Sequence, residues 1–186
     1  MLRAILRGRI AAFERAWGYD ASYLRELLDV SAVAFIQFGM VSALGHRRGA
    51  PPAALCAARL VGTVSEDCGP CTQLAVDMAT REHVAPEILR ALLAGDVAGM
   101  GDEAGLAYRF ARASLARSID ADPLRDEIVR RWGKRGLTAL ALALTTARMY
   151  PTLKYALGHG HACTRVLVGG QPATLSLAAG SAPAAP

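Results

Sequence analysis

Two cysteines separated by two residues are the feature of this sequence best suited to chemistry. They are Cys68 and Cys71, in the string Cys-Gly-Pro-Cys. This spacing lets two sulfur atoms approach bonding distance, so that one cysteine can resolve a sulfenic acid formed on the other. Gly69 can cap a helix and Pro70 is favoured at the first helical position, which places Cys71 in the first turn. We therefore predict a redox-active dithiol at the start of a helix.

The start of a helix is a place where a thiol loses its proton readily. Backbone N–H groups there lack partners within the helix, and the helix dipole presents its positive end. Both effects stabilise a negatively charged sulfur, and cysteines in such places have thiol pKa values of roughly 3.5–7.5. The predicted surroundings of Cys71 therefore suit a reactive thiolate at neutral pH.

Other uses of a Cys-x-x-Cys motif fit this sequence less well. Thioredoxin uses the same four residues, but its motif lies between strands, and here the flanking sequence predicts helices. A c-type haem site needs a histidine directly after the second cysteine, and Thr72 stands there. A pair of structural cysteines beside a tight turn remains an alternative.

A metal site is a further alternative. Structural zinc takes about four ligands, and a second Cys-x-x-Cys is absent from the sequence. The other group of metal-binding side chains comprises His159, His161 and Cys163. These could join Cys68 and Cys71 only if the fold brought the two segments together, so we expect neither a metal nor a cofactor.

Helical patterns precede the motif. Apolar residues spaced by three and four predict a helix over residues 2–17, and Ser22 is expected to cap a second helix that runs to Phe38. A loop rich in glycine and proline follows over residues 45–52. We therefore expect a helical extension in front of the main core.

The main core is predicted to be entirely helical. The predicted helices cover residues 53–64, 70–82, 86–94, 102–118, 123–135 and 137–157. Gly136 is expected to separate the last two, and Pro151 to kink or break the last one. The sequence therefore predicts an all-α fold.

The chain ends in a different pattern. The strings TRVLV and ATLSL flank GGQP, which predicts a short β-hairpin that packs on the helices or on another subunit. We accordingly divide the chain into four predicted parts: an N-terminal helical extension (residues 1–50), a helical core with the Cys-x-x-Cys motif (51–160), the C-terminal hairpin (161–178) and a disordered tail (179–186).

Composition and charge limit the classes of partner. Aromatic residues make up only 6% of the 186 residues, which disfavours a stacking surface for nucleic acid. The net charge of +5 comes mostly from arginines scattered through the predicted helices, as on an ordinary solvated surface. Apolar runs are too short for a membrane span of about 18 residues or for a signal peptide. We expect a cytoplasmic protein with reduced thiols and no nucleic-acid or membrane partner.

The string SEDCGPCTQLAVDMATREHVAPEILRALLAGD, residues 65–96, resembles the core helix pair of the alkylhydroperoxidase D (AhpD)-like and carboxymuconolactone decarboxylase superfamily. In that family a Cys-x-x-Cys opens a helix, and a short helix of the Pro-Glu-Ile-Leu kind follows after a turn. The resemblance covers about residues 52–158. It implies an all-α AhpD-like helical bundle and a homo-oligomer, a trimer or hexamer.

The peroxidase branch of that family implies roles for the two cysteines. Cys71 would attack a small-molecule hydroperoxide, Cys68 would close the disulfide, and an unknown thiol electron donor would restore both thiols. The family pattern has a histidine where this sequence has Ala75, and a glutamate in the neighbourhood of Cys56. Because that proton relay is absent at its usual positions, we take Glu66 as the candidate acid or base.

Other polar side chains could assist the dithiol. Gln73 could supply a hydrogen bond, and the pair His159 and His161 could supply an imidazole. His46 and His83 lie in predicted loops and carry no specific signal.

The main functional prediction is a dithiol oxidoreductase that reduces hydroperoxides through a Cys68–Cys71 disulfide cycle. One alternative is a non-redox enzyme of the carboxymuconolactone decarboxylase type, which acts on a small lactone or acid. Another is a non-enzymatic oligomeric module whose cysteines serve as a sensor or a metal clip. The dithiol favours the redox branch, because the decarboxylase branch does not need it.

Overall fold

A computed structural model describes residues 1–43, 48–160 and 165–176 of the chain. Within these ranges the chain forms eight α-helices and a small antiparallel hairpin, which confirms the predicted all-α class with its short C-terminal hairpin. The helices are α1 (Leu2–Trp17), α2 (Ser22–Val30), α3 (Ala32–Ala43), α4 (Pro52–Ser65), α5 (Gly69–Arg81), α6 (Pro86–Ala94), α7 (Gly101–Leu115) and α8 (Ala121–Ala156); a 3₁₀ turn at Val97–Met100 precedes α7.

Helix α4 lies at the centre of the main hydrophobic core. Its sequence is apolar on most faces, and it packs against α5, α7 and α8. A Cβ atom placed on Gly62 would lie 2.9 Å from the backbone oxygen of Leu144 and 3.0 Å from the Cβ of Ala147. The absence of a side chain at Gly62 therefore lets α4 and α8 approach closely.

A second, smaller hydrophobic cluster joins the N-terminal helices to the rest of the chain. Ile10, Tyr23 and Leu28 are buried in it, and Leu74 of α5 and Leu153 of α8 pack against them. The N-terminal helices thus pack against side chains of both α5 and α8. The predicted division at residue 50 stays a prediction.

The predicted helix from Ser22 to Phe38 is two helices. Ser31 has an extended backbone (φ −150°, ψ 106°), and its hydroxyl oxygen accepts a hydrogen bond from the N–H of Ala34 at 3.1 Å. This is the geometry of a helix N-cap, so Ser31 ends α2 and begins α3. Ser22 does not cap α2, because Ala21 occupies the N-cap position.

The bend in the last helical region lies at Gly133 rather than at Gly136. Gly133 has φ 67° and ψ 178°, a conformation that only glycine adopts readily. Pro151 does not break α8, which keeps helical backbone angles from there to Ala156. A proline removes one backbone hydrogen bond, and Pro151 is a buried residue within α8.

The C-terminal hairpin consists of β1 (Leu167–Val168) and β2 (Gln171–Pro172). Two glycines with positive φ, Gly169 and Gly170, form the turn between the strands. Val168 is buried against the helices, as expected for so short a hairpin. The predicted disordered tail, residues 179–186, lies outside the described residues.

The amide of Gln73 on α5 holds the first strand. Its oxygen accepts the N–H of Leu167 at 2.6 Å, and its nitrogen donates to the Leu167 carbonyl at 3.2 Å. Gln73 therefore supplies hydrogen bonds to the hairpin rather than to the dithiol.

None of the helices in the described ranges combines the length and the apolar character needed to cross a membrane.

The close approach at Gly62 predicts opposite effects for two glycine-to-alanine substitutions. Gly62→Ala should lower the free energy of unfolding by about 1–3 kcal/mol, because the added methyl group forces α4 and α8 apart. Gly8→Ala is the matched control, since Gly8 is exposed within α1 and an added Cβ there meets nothing within 4 Å. It should raise stability by about 0.5–1 kcal/mol. Urea unfolding of both variants measures the difference, and a Gly62→Ala variant as stable as the wild type would contradict the prediction.

Candidate functional site

The two cysteines form a disulfide across the first turn of α5. Their Cα atoms are 5.3 Å apart. Cys68 is the N-cap residue, and its carbonyl accepts the first helical hydrogen bond from the N–H of Thr72 at 2.9 Å. Gly69 and Pro70 are the first two helical residues, so the helix begins one residue before the predicted start. The prediction that Cys71 lies in the first turn is confirmed.

The start of α5 is electrostatically favourable for a thiolate. Its first turn contains no acidic residue, so nothing within the turn offsets the positive end of the helix dipole. Cys68 and Cys71 are only 4% and 5% exposed, which limits screening of that dipole by water. Reduction of the disulfide would leave the Cys71 sulfur in this setting.

A cavity of about 460 Å³ opens beside Cys71. Apolar and aromatic side chains form most of its wall, and α1, α2, α3, α4, α5 and α8 all contribute to it: Phe13, Leu24, Phe35, Phe38, Leu74, Met78 and Tyr150. Cys71 is the one cysteine among the described residues of this wall. A molecule inside the cavity therefore lies against Cys71 rather than against Cys68.

Tyr19 reaches the disulfide from the N-terminal helices. Its hydroxyl oxygen lies 3.6 Å from the Cys71 sulfur and 3.4 Å from the hydroxyl oxygen of Tyr23. Burial raises the pKa of both tyrosine hydroxyls above their ordinary value. Both therefore keep their protons at neutral pH.

Sequence reasoning missed Tyr19 as a site residue. The available signal was its position directly after Gly18, the predicted end of the first helix. Gly18 has φ 58°, the left-handed backbone of a helix C-cap, so α1 ends directly before Tyr19. The sequence separation of 52 residues between Tyr19 and Cys71 left no local pattern that joins them.

One basic side chain lines the cavity, and another lies beside the ring of Tyr19. Arg59 lines it and forms an ion pair with Glu82 at 2.8 Å. Lys154 of α8 is buried, and its ammonium nitrogen lies 5.4 Å from the centre of the Tyr19 ring. The cavity wall is thus mostly apolar, and the charge of Arg59 within it is balanced by Glu82.

Glu66, the candidate acid or base, is engaged elsewhere. Its carboxylate accepts hydrogen bonds from the Nε of Arg148 at 2.6 Å and from the hydroxyl of Thr152 at 3.2 Å. None of its hydrogen bonds in the described part of the chain reaches a sulfur. The contacts support an ion pair that ties the turn after α4 to α8, and the acid or base role of Glu66 stays a prediction.

His159 lies at the end of α8, and its ring pairs with α2. Its Nε2 lies 2.6 Å from a carboxylate oxygen of Glu26, and its Nδ1 lies 3.1 Å from the hydroxyl of Ser22. His161 and Cys163, the other members of the predicted metal-binding group, lie outside the described residues, as does His46. The residues that the structure does describe contain no group of three potential metal ligands.

Cys56 of α4 is a buried free thiol. Burial raises the pKa of this thiol to about 12. Cys56 is therefore protonated and unreactive at neutral pH, in contrast to the setting of Cys71.

A larger groove of about 1370 Å³ lies between α4, α7 and α8. Arg109, Arg112 and Arg148 contribute to its wall, and the described wall residues include no cysteine. The smaller cavity is the candidate site because it contains the chemically reactive group.

Comparison of the chain with protein-family models, with curated proteins and with solved structures finds no significant match.

The raised pKa of Cys56 predicts a loss of stability at alkaline pH. Below about pH 8.5 the thiol is protonated in both the folded and the unfolded chain, so it adds no pH dependence. Between about 8.5 and the folded pKa only the unfolded chain releases the proton, so the free energy of unfolding falls as pH rises. At pH 10 this contribution amounts to about 2 kcal/mol.

Urea unfolding of the wild type and of Cys56→Ala at pH 7.5 and pH 10 measures this contribution. The buried tyrosines weaken both proteins at high pH, so the difference between the two proteins isolates Cys56. We expect the wild type to lose more stability than Cys56→Ala on going to pH 10. An equal loss in the two proteins would refute a titration of Cys56 on unfolding.

Proposed function

We propose that this chain is a dithiol oxidoreductase that reduces hydroperoxides, as its resemblance to the alkylhydroperoxidase D-like proteins implies. The observation that supports the proposal is the position of Cys71: it forms a disulfide with Cys68 and lines a cavity large enough for a small organic molecule. Since the cavity wall is mostly apolar, it suits an organic hydroperoxide better than hydrogen peroxide.

The proposed cycle starts from the reduced dithiol. The Cys71 thiolate attacks the terminal oxygen of the hydroperoxide, the O–O bond breaks, and the alkoxide leaves as an alcohol after taking a proton from water. Cys71 is then a sulfenic acid. The Cys68 thiol attacks its sulfur, which forms the disulfide and releases water. Two equivalents of an external thiol reduce the disulfide and are themselves joined as a disulfide.

The structure also gives the position of Ala75, one of the residues that depart from the family pattern. Ala75, which stands where the family has histidine, lines the same cavity as Cys71. Its methyl group leaves this part of the wall apolar and supplies no proton. The group that assists the thiolate must therefore come from another element.

Thiol counting before and after one equivalent of cumene hydroperoxide tests the proposal. The reduced wild type should lose two thiols and regain them with dithiothreitol. Cys71→Ser should lose no thiols in the time in which the wild type loses two, because the attacking sulfur is gone. The matched control is Cys163→Ser, which removes a cysteine outside the motif and should still lose two.

Two outcomes would count against the proposal. Thiols that resist the hydroperoxide in the wild type would favour a non-redox pocket or a non-enzymatic module. Loss of two thiols from Cys71→Ser at the wild-type rate would place the reaction at other cysteines. Hydrogen peroxide in place of cumene hydroperoxide should oxidise the wild type more slowly, because it gains nothing from the apolar wall.

We also propose that the chain forms a homo-oligomer, a trimer or hexamer, through α3. This helix contains no charged residue, yet Val33 and Met40 are 65% and 60% exposed in the single chain. Burial of such side chains is favourable by about 25 cal/mol per Å². An apolar helix surface of this kind is typical of a contact between protein chains.

Light scattering coupled to gel filtration should give a mass of three or six chains for the wild type. The double variant Val33→Glu/Met40→Glu should shift the mass toward a monomer, since it places charges in the contact. Ile119→Glu is the control, because Ile119 is 82% exposed in a turn remote in sequence from α3. A monomeric wild type, or a double variant with unchanged mass, would exclude this contact.

A further inference from the structure

The geometry points to Tyr19 as a catalytic residue of the dithiol: its phenol hydroxyl donates a hydrogen bond to the Cys71 sulfur and stabilises the thiolate form. This inference rests on the proposed function. It assigns the stabilisation of the thiolate, which Ala75 cannot provide, to a residue between α1 and α2.

The contact has a defined direction. The Tyr19 oxygen lies 3.6 Å from the Cys71 sulfur, and a disulfide sulfur carries no hydrogen. The phenol is therefore the donor in the oxidised protein. After reduction the same sulfur becomes a thiolate, which is a far better acceptor because a charged partner roughly doubles the strength of a hydrogen bond.

The Tyr19 hydroxyl is well suited to remain a donor. Burial raises its pKa, so it does not ionise in the pH range in which the thiol titrates. The two hydroxyl oxygens lie 3.4 Å apart, and either hydroxyl can donate to the other. Each carries one proton, so when Tyr19 directs its proton to Cys71, its oxygen accepts the proton of Tyr23. A hydrogen bond from Tyr23 thus favours the arrangement in which the Tyr19 hydroxyl donates to the Cys71 sulfur.

The Tyr19 ring is held in place on several sides. It contacts Phe13 edge-on at a centroid distance of 5.9 Å and Tyr23 edge-on at 6.5 Å. The ammonium group of Lys154 lies 5.4 Å from the ring centre. Because the ring is already packed, little side-chain freedom is lost when the hydroxyl binds the thiolate.

Other charged and titratable groups also surround the pair. Arg59 of α4 lines the cavity but is paired with Glu82, and Tyr150 of α8 contributes a second phenol to the wall. Lys154 lies beside the Tyr19 ring, and Asp20 follows Tyr19 in the chain. Tyr19 is the side chain whose hydroxyl is seen within hydrogen-bond distance of the Cys71 sulfur.

The thiol pKa of Cys71 is the quantity that tests this role. In the reduced protein it is obtained from the pH dependence of alkylation by iodoacetamide, with the Cys71 peptide quantified by mass spectrometry. Tyr19→Phe keeps the packed ring and removes only the donor. It should raise the Cys71 pKa by about one unit, which slows alkylation about tenfold at pH values below the wild-type pKa.

Two further variants separate the role of Tyr19 from general effects. Tyr155→Phe removes a hydroxyl that donates to the Asp67 carbonyl, outside the cavity wall, and it should leave the Cys71 pKa unchanged. Tyr23→Phe removes the supporting donor and should raise the Cys71 pKa by less than Tyr19→Phe does. Circular dichroism melting curves check that each variant is folded.

An unchanged Cys71 pKa in folded Tyr19→Phe would overturn the inference. So would a rise in Tyr23→Phe that equals or exceeds the rise in Tyr19→Phe, since the effect would then not pass through the Tyr19 hydroxyl. Alkylation involves no peroxide. A chain that fails the hydroperoxide test but shows the Tyr19 effect on the thiol pKa would disprove the proposed function and leave only the hydrogen bond from Tyr19 to the thiolate.

Discussion

The close packing of α4 against α8 is the contact on which the rest of the structure depends. It is possible because residue 62 has no side chain, so the backbone of one helix approaches the other directly. This packing fixes the end of α4, and the turn after it carries the chain into α5 with Cys68 at the N-cap. The ion pair from Glu66 to Arg148 fastens that turn to α8. The position of the dithiol thus follows from a contact several residues away.

The dithiol lies in surroundings that act on its charge in opposite directions. Burial among aromatic and aliphatic side chains disfavours a thiolate, because a charge loses its hydration there. The first turn of α5 and the Tyr19 hydroxyl favour the thiolate, because their dipoles already point toward the sulfur. Such preorganised dipoles cost little reorganisation when charge appears on the sulfur. Cys56 shows the outcome when burial acts without them, since its thiol pKa rises to about 12.

The sequence was most informative where a local rule operates. Pro52, Pro70 and Pro86 mark helix starts, and the helices that follow them agree with the structure within one or two residues. Local rules predicted less well where more than one residue could end a helix. Ser31 begins a new helix within an apolar run that the pattern predicts as one helix. Two glycines lie close together in α8, and Gly133 rather than Gly136 has the non-helical backbone. The contact of Tyr19 with Cys71 depends on the packing of distant helices, so no spacing in the sequence indicates it.

Helix α5 also holds the end of α1, through its last residue. The guanidinium group of Arg81 lies 3.6 Å from the centre of the Trp17 ring and donates to the Ala16 carbonyl at 2.6 Å. Helix α5, which is 13 residues long, therefore carries Cys71 in its first turn and contacts the end of α1 through its last residue. Cys71 is only 5% exposed, and residues of α1 and α2 form part of the cavity wall beside it. A protein too large to enter the cavity would therefore touch this cysteine only after a local opening of the N-terminal helices. If the proposed function holds, regeneration of the dithiol by such a protein would be limited by that opening.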